Sequence, residues 1–215
     1  MAGGVGLSLR QLNCLAVMFI LTARGMISLE DLAFVVFSIV YMHLLFKVAF
    51  PRNAPLKDCI VFDQRNKIFR SYMTFSAFIG LYFSVAYIIH GIRGVNQPSR
   101  ARPRGEGSGP HLFLVTSQVF MEGVAFTDRY SIPVQVFVPV LYNSRRIFTL
   151  VEWVRSEFSK VDNEHASSNR VYVGRVLALA NMGLWCFNLF GFLLPVYLPR
   201  AFKKYYTEIE SKVRD

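Results

Sequence analysis

The sequence has few charged residues and few cysteines, and each shortage excludes a class of protein. Only 18% of the 215 residues are charged, whereas a soluble domain usually has about 25%. The three cysteines, Cys14, Cys59 and Cys186, are odd in number, lie far apart and have no Cys-x-x-Cys spacing. This pattern argues against both a disulfide framework and a zinc site.

The motifs that identify common catalytic sites are also missing. The chain contains no Gly-x-Ser-x-Gly, His-Glu-x-x-His or Gly-x-x-x-x-Gly-Lys sequence, which are the signatures of nucleophile elbows, zinc proteases and phosphate-binding loops. His43 and His90 have no second His, Cys or carboxylate at ligand spacing. We therefore expect a non-enzymatic protein without a cofactor or bound metal.

Apolar residues are abundant and are collected into long uncharged runs. They make up 53% of the chain, and Ser71–Ile92 forms a run of 22 residues without a formal charge. As a helix this run would be roughly 33 Å long, enough to cross a bilayer. Val176–Leu198 is a second such run of 23 residues, in which Asn181 and Asn188 would face one side. Both segments, 71–92 and 176–198, are predicted transmembrane helices.

Two earlier segments, 7–23 and 32–50, predict a helical hairpin joined by a short turn around Arg24-Gly25. Ser28, followed by two acidic residues, is a suitable start for the second helix, because its hydroxyl can accept from a free N–H of the first turn. The first segment also has the length of a signal peptide. Leu21 is a poor fit to the small residue that cleavage there would need, and whether the segment is removed stays open.

The segment 111–142 allows two interpretations. Its first half, Leu112–Phe126, is apolar but contains Glu122, and a central charge costs about 2.5–3.5 kcal/mol on the insertion scale. Its second half, Ile132–Tyr142, is short and contains two prolines. We expect either a transmembrane region or a re-entrant, interfacial or protein-buried one.

Two further segments have apolar residues at helical spacing and charged residues elsewhere. These segments, 144–161 and 200–215, predict amphipathic helices that lie on the membrane surface. Packing of either helix against the protein's own bundle is an equally weighted alternative. Between the apolar runs, 93–110 is rich in Arg, Gly, Pro and Ser and predicts a flexible basic loop.

Together these segments predict an all-α fold: a single polytopic membrane domain over 1–215, with about four transmembrane helices plus amphipathic surface helices and both ends in the cytosol. The net charge of +10 arises from basic residues beside the apolar runs, where anionic lipid headgroups would meet them. No nucleic-acid-binding motif accompanies this charge, so nucleic acid is not an expected partner. The candidate headgroup contacts are Arg145, Arg146, Arg200, Lys203 and Lys204.

Three stretches carry a resemblance to known families: Gly109–Leu114, Ser117–Phe126 and Val138–Phe148. Together they resemble an uncharacterised family of plant multi-pass transmembrane proteins. A fainter likeness, carried by Gln118 to Glu122 and the apolar and basic segments that follow, is to the endoplasmic-reticulum and nuclear-pore transmembrane family that shapes tubular membrane. The resemblance implies a location in the endoplasmic reticulum or another endomembrane.

From these observations we expect a protein that organises or shapes the bilayer or acts as a scaffold. Its partners would be lipids and either other membrane proteins or further copies of itself. The alternative is a small transporter or channel component that uses an intramembrane acid, since ionisable groups at membrane depth are often functional. The candidate intramembrane polar residues are Glu122, His90 and His43. A membrane-embedded enzyme ranks third.

Overall fold

The computed structural model describes residues 8–51, 67–94, 108–126, 130–159 and 168–214, and every regular element in these ranges is helical. The all-α prediction is confirmed for this part of the chain. The α-helices are α1 (Leu9–Ala23), α2 (Leu29–Leu44), α3 (Lys67–Ala77), α4 (Ser84–Gly94), α5 (Ser108–Ala125), α6 (Ile132–Ser159), α7 (Ser168–Cys186) and α8 (Leu198–Arg214). Three π-helical segments continue or join them: Leu45–Ala49 after α2, Phe78–Phe83 between α3 and α4, and Phe187–Tyr197 between α7 and α8.

The first two helices begin where short polar side chains can cap them. Ser8 accepts from the backbone N–H of Gln11, whose side chain in turn accepts from the Ser8 N–H, a reciprocal capping box. Ser28 accepts from the N–H of Asp31 at 3.1 Å, so the predicted start of the second helix is confirmed. Between the helices Gly25 has φ 67°, a left-handed conformation that favours glycine.

The predicted hairpin of 7–23 and 32–50 is confirmed in its turn but not in its packing. Helix α1 packs along α5, whereas α2 packs against α5 and α6. The contact between α2 and α6 includes a hydrogen bond of 2.9 Å between Ser38 and Tyr142 and an edge-on ring contact between Phe34 and Tyr142. Both helices therefore pack mainly on the central helices.

Within the described ranges, three helices are long and apolar enough to cross a membrane: Leu29–Ala49, Arg70–His90 and Asn169–Thr207. The two strongest predicted runs, 71–92 and 176–198, largely fall within the second and third of these spans. Helix α1 is apolar but shorter. Large apolar side chains remain exposed along all four helices, which is the surface expected of helices that face lipid instead of water.

The third span does not break at its prolines. Pro195 lies inside the π-helical segment Phe187–Tyr197, and Pro199 lies in the first turn of α8, yet the helix is continuous from α7 through α8. A proline removes one backbone hydrogen bond, and a π-helical segment accommodates the irregular backbone within a helix. Membrane helices tolerate such positions better than soluble ones.

Helices α5 and α6 form the centre of the bundle. Most side chains of α5 are buried, and α6 is one helix of 28 residues that includes both Pro133 and Pro139. The prediction of a separate short segment over 132–142 is therefore wrong, and the protein-buried interpretation of this region is the one observed. Pro133 needs no N–H partner in the first turn, and the carbonyl of Pro139 accepts from the Asn143 side chain at 2.7 Å.

The two predicted amphipathic helices are packed against the bundle. In the segment 144–161, Leu150 and Trp153 are completely buried within α6. In the segment 200–215, Ala201 is completely buried and Tyr205 packs edge-on against Phe50. Their apolar faces thus cover other helices, which was the alternative to a position on the membrane surface. Residues 95–107 of the predicted loop 93–110 lie outside the described ranges.

Candidate functional site

A buried guanidinium lies at the middle of the bundle. Arg146 of α6 is 0% exposed and donates to the Gln118 side chain at 2.5 Å, the Asn143 side chain at 3.2 Å and the Leu114 carbonyl at 3.4 Å. Its charged group also lies 4.0 Å from the centre of the Trp185 ring. Three helices, α5, α6 and α7, therefore meet at one cation.

A buried charge is costly unless it is paired and hydrogen-bonded, and α5 supplies the pairing. Gln118 accepts from Arg146 and donates to a Glu122 carboxylate oxygen at 2.7 Å. The Glu122 carboxyl group and the Arg146 guanidinium also interact electrostatically, and Arg10 of α1 is a second cation that acts on Glu122. The i, i+4 spacing of Gln118 and Glu122 places both on one face of α5.

Two asparagines extend the network towards α3. The side-chain oxygen of Asn143 (Oδ1) accepts from both the Arg146 guanidinium and the Asn188 side-chain amide, the latter at 3.2 Å. Asn188 in turn accepts from the Tyr72 hydroxyl at 3.0 Å. We call the residues of this network the Arg146 cluster; its members are Tyr72, Gln118, Glu122, Asn143, Arg146, Trp185 and Asn188.

The π-helical segment Phe78–Phe83 lies beside this cluster and presents carbonyls to polar side chains. Asn181 donates to the carbonyl of Ile79 at 3.4 Å, and His111 Nε2 donates to the carbonyl of Gly80 at 3.1 Å. Gly80 is needed here because a Cβ at this position would lie 2.7 Å from the Trp185 ring. The close approach of the segment Phe78–Phe83 to α7 brings His111 and Asn181 into the same polar layer.

A fully buried acid, Glu157, lies near the end of α6, between α4 and α7. Glu157 is 0% exposed and accepts from the Tyr87 hydroxyl and the Trp153 ring N–H, both at 3.2 Å. A Cβ at position 174 would lie 2.5 Å from a Glu157 carboxylate oxygen, so Gly174 makes room for the carboxylate. The Glu157 carboxylate thus joins α4 to α6 and lies against α7 at Gly174.

The start of α2 is fixed to α6 by an ion pair. Arg145 lies 3.0 Å from Asp31 and 3.2 Å from Glu30, and the Asp31 side chain is only 2% exposed. Adjacent residues on a helix point about 100° apart, so Arg145 faces α2 while Arg146 faces the interior.

The structure does not bring the predicted intramembrane polar residues together. Glu122 is partly buried and belongs to the Arg146 cluster. His43 and His90 are exposed on the outer faces of α2 and α4. Within the described ranges no group of three His, Cys, Asp or Glu could hold a metal ion.

The predicted headgroup contacts separate into two groups. The prediction is wrong for Arg146, because no part of its side chain is exposed, and Arg145 is engaged by two carboxylates. Arg200 and Lys203 are exposed on α8, and Lys204 is partly exposed. For these three residues a headgroup contact stays a prediction.

Sequence reasoning missed His111, Gln118 and Asn143 as members of a polar centre. One available signal was the i, i+7 pair Asn181 and Asn188, since both hydrogen-bond to other helices, as that spacing indicates. Polar residues on one face of an otherwise apolar helix indicate the side that faces other helices.

Comparison with known proteins gives one finding. The family model of "Domain of unknown function (DUF7733)" matches residues 7–206, a range that includes α1 to α7 and every residue of the Arg146 cluster. No curated protein and no solved structure matches the chain.

Proposed function

The chain belongs to the DUF7733 family, and we propose that it is a non-enzymatic integral membrane protein that organises the bilayer or scaffolds other membrane proteins. The observation that carries the proposal is the distribution of side chains, which is the reverse of that in a soluble protein. Large apolar side chains lie exposed on the candidate spans, while the buried ionisable groups Arg146 and Glu157 hydrogen-bond to neighbouring helices. Such a bundle is stable in lipid, where polar groups must be satisfied internally.

Internal pairing favours a scaffold over a catalyst. The hydrogen bonds of Arg146, Asn143 and Asn188 join helices to one another. These contacts fix the relative positions of α3, α5, α6 and α7. A rigid body with an apolar exterior is suited to displacing lipid and to presenting a constant surface to partners.

We further propose an endomembrane location, with the endoplasmic reticulum as the first compartment to examine. Its support is the resemblance to plant multi-pass proteins and to the family that shapes tubular membrane. Expression of the tagged chain in plant cells, with markers for the reticulum and the plasma membrane, tests this proposal. Labelling confined to the plasma membrane would refute it.

Reconstitution into liposomes tests the organising function. We expect the purified chain to produce tubules or small, highly curved vesicles at high protein density when viewed by electron microscopy. If the C-terminal tail is deleted for this assay, the deletion should begin after Thr207. Removal of Ala201 and Tyr205 would also remove side chains that are packed inside the bundle. Vesicles that stay as smooth and as large as protein-free controls would contradict the bilayer-shaping form of the proposal.

A scaffold that does not bend lipid needs a different test. Mild-detergent purification from native membranes, followed by size measurement and mass spectrometry, should recover the chain in an assembly of defined composition. Recovery of a lone monomer under these conditions, together with smooth liposomes, would refute both forms of the proposal.

One observation favours transport as a second candidate. Glu122 is only partly buried and connects through Gln118 to the fully buried Arg146, so an acid near the surface is linked to a cation in the interior. Flux of protons or small ions into proteoliposomes tests this function, with Glu122→Gln as the variant and Glu152→Gln, an exposed acid on α6, as its control. Absence of flux, or equal flux in both variants, would refute it.

A further inference from the structure

Helix α3 carries an open groove that lies apart from the Arg146 cluster. Its volume is about 440 Å³. Its lining changes in character along the helix, from two cations through two hydroxyls to two aromatic rings. The lining residues are Lys67, Arg70, Ser71, Thr74, Phe75 and Phe78.

The order of these residues matches the depth profile of a bilayer leaflet. The candidate span on this helix begins at Arg70, so Lys67 and Arg70 lie at its polar end. Phe78 is eight residues further along, roughly 12 Å at 1.5 Å per residue, and is 50% exposed. Lys67, Arg70, Thr74 and Phe78 repeat at three- and four-residue intervals, which keeps them on one helix face.

The cations of the groove have no acidic partner in the described ranges. Neither Lys67 nor Arg70 forms an ion pair there, and both are exposed. Two cations next to a hydroxyl, at the boundary of a span, match a phosphate group in charge and in hydrogen bonding. Phe75, which is 57% exposed, offers an apolar surface just below them.

We propose that this groove binds an anionic phospholipid of the surrounding membrane. Lys67 and Arg70 contact the phosphate, Ser71 and Thr74 line the glycerol region, and one acyl chain lies along Phe75 and Phe78. The proposal rests on the membrane embedding proposed above. It does not depend on curvature or on a protein partner, so a negative result in the liposome or co-purification experiment would not refute the lipid site.

Native mass spectrometry of the full chain in detergent tests the site. The delipidated protein is titrated with phosphatidic acid, phosphatidylserine and phosphatidylcholine. The variant Lys67→Gln/Arg70→Gln is compared with Arg24→Gln/Arg155→Gln, which removes the same charge from exposed positions elsewhere. We expect the groove variant to bind anionic lipid about thirtyfold more weakly, since each basic residue near an anionic surface contributes about fivefold. The control variant should bind as the parent chain does.

A second variant separates the contribution of the acyl chain to binding from that of the headgroup. Phe75→Ala/Phe78→Ala should weaken binding of long-chain phosphatidic acid and leave binding of glycerol phosphate unchanged. The proposal is overturned if both charge variants lose affinity equally, if neither loses affinity, or if inorganic phosphate displaces the lipid at equal concentration. All the substituted side chains are exposed, and an unchanged helical circular dichroism spectrum will verify that each variant folds.

Discussion

Replacement of Arg146 by methionine should destabilise the bundle more than any other single removal of a surface or interior charge. Methionine keeps much of the volume of the arginine stem and removes the guanidinium. Gln118 then loses the arginine donor, Asn143 loses one of its two donors, and Trp185 loses the cation that lies 4.0 Å from its ring centre. Glu122 loses Arg146 as an interior counter-charge.

The magnitude follows from these losses. A hydrogen bond to a charged group contributes about 1.5–3 kcal/mol, and a desolvated cation–π contact about 2 kcal/mol. Part of this gain is offset in the parent chain by the desolvation of the charge, and removal of one member of a buried pair costs about 3–5 kcal/mol. For a chain of this size, that loss corresponds to a fall of roughly 10 °C in Tm.

Thermal unfolding of the detergent-solubilised chain, followed by circular dichroism, measures the effect. Arg155→Met is the matched control, because Arg155 is exposed on the same helix and its replacement should change stability by less than about 0.5 kcal/mol. Addition of Glu122→Gln to the Arg146 variant should restore part of the loss, since the uncompensated acid is then neutral. Equal Tm values for the two methionine variants would refute the assignment of Arg146 as the central cation.

Two further predictions concern helix contacts. Gly80→Ala should lower stability by about 1–3 kcal/mol through overpacking, because its Cβ would lie 2.7 Å from the Trp185 ring. Gly183→Ala, which meets no atom within 4 Å, should raise the Tm slightly, because alanine favours the helix by up to about 1 kcal/mol, and a fall there would contradict the packing described. Asp31→Asn should cost about 1–3 kcal/mol, since this carboxylate is buried in its ion pair to α6. Glu30→Gln, whose side chain is 81% exposed, should cost under about 1 kcal/mol, and equal Tm changes for the two acids would contradict the fixed start of α2.

The sequence was sufficient for features that depend on local or averaged properties. Long uncharged runs such as 71–92 and 176–198 form apolar helices, because backbone groups without water must bond within the helix. The start of α2 could be read from Ser28, since capping involves residues only three apart. The side of the span Asn169–Thr207 that faces other helices was indicated by Asn181 and Asn188.

The role of Arg146 could not be read from the sequence. Beside Arg145, it has the appearance of one more cation on the polar face of an amphipathic helix. Its actual partners, Gln118 and Trp185, lie 28 residues before it and 39 residues after it, as the sequence numbering gives. The spacing of residues within one helix contains no information on which distant residues cover each face of that helix.

The prolines of α6 misled for a similar reason. With its two prolines, Pro133 and Pro139, the segment 132–142 was predicted to be a separate piece too short to span a bilayer unaided, since an interior proline removes a backbone bond. The compensation comes from packing: Ile132 and Val136 are completely buried against residues near the start of α8. Tertiary burial outweighs the local cost, and no local pattern reports that burial.

The central claim is that the longest apolar helix crosses the bilayer. Single cysteines at Asn169 and Thr207, the two ends of that span, can be introduced into a chain whose native cysteines are replaced, and both positions are exposed. The two ends are separated by roughly 55–60 Å of helix, well beyond the ~30 Å of a hydrocarbon core. In sealed vesicles a membrane-impermeant thiol reagent should label one position from outside and the other only after permeabilisation. Labelling of both positions from the same side of intact vesicles would contradict the account.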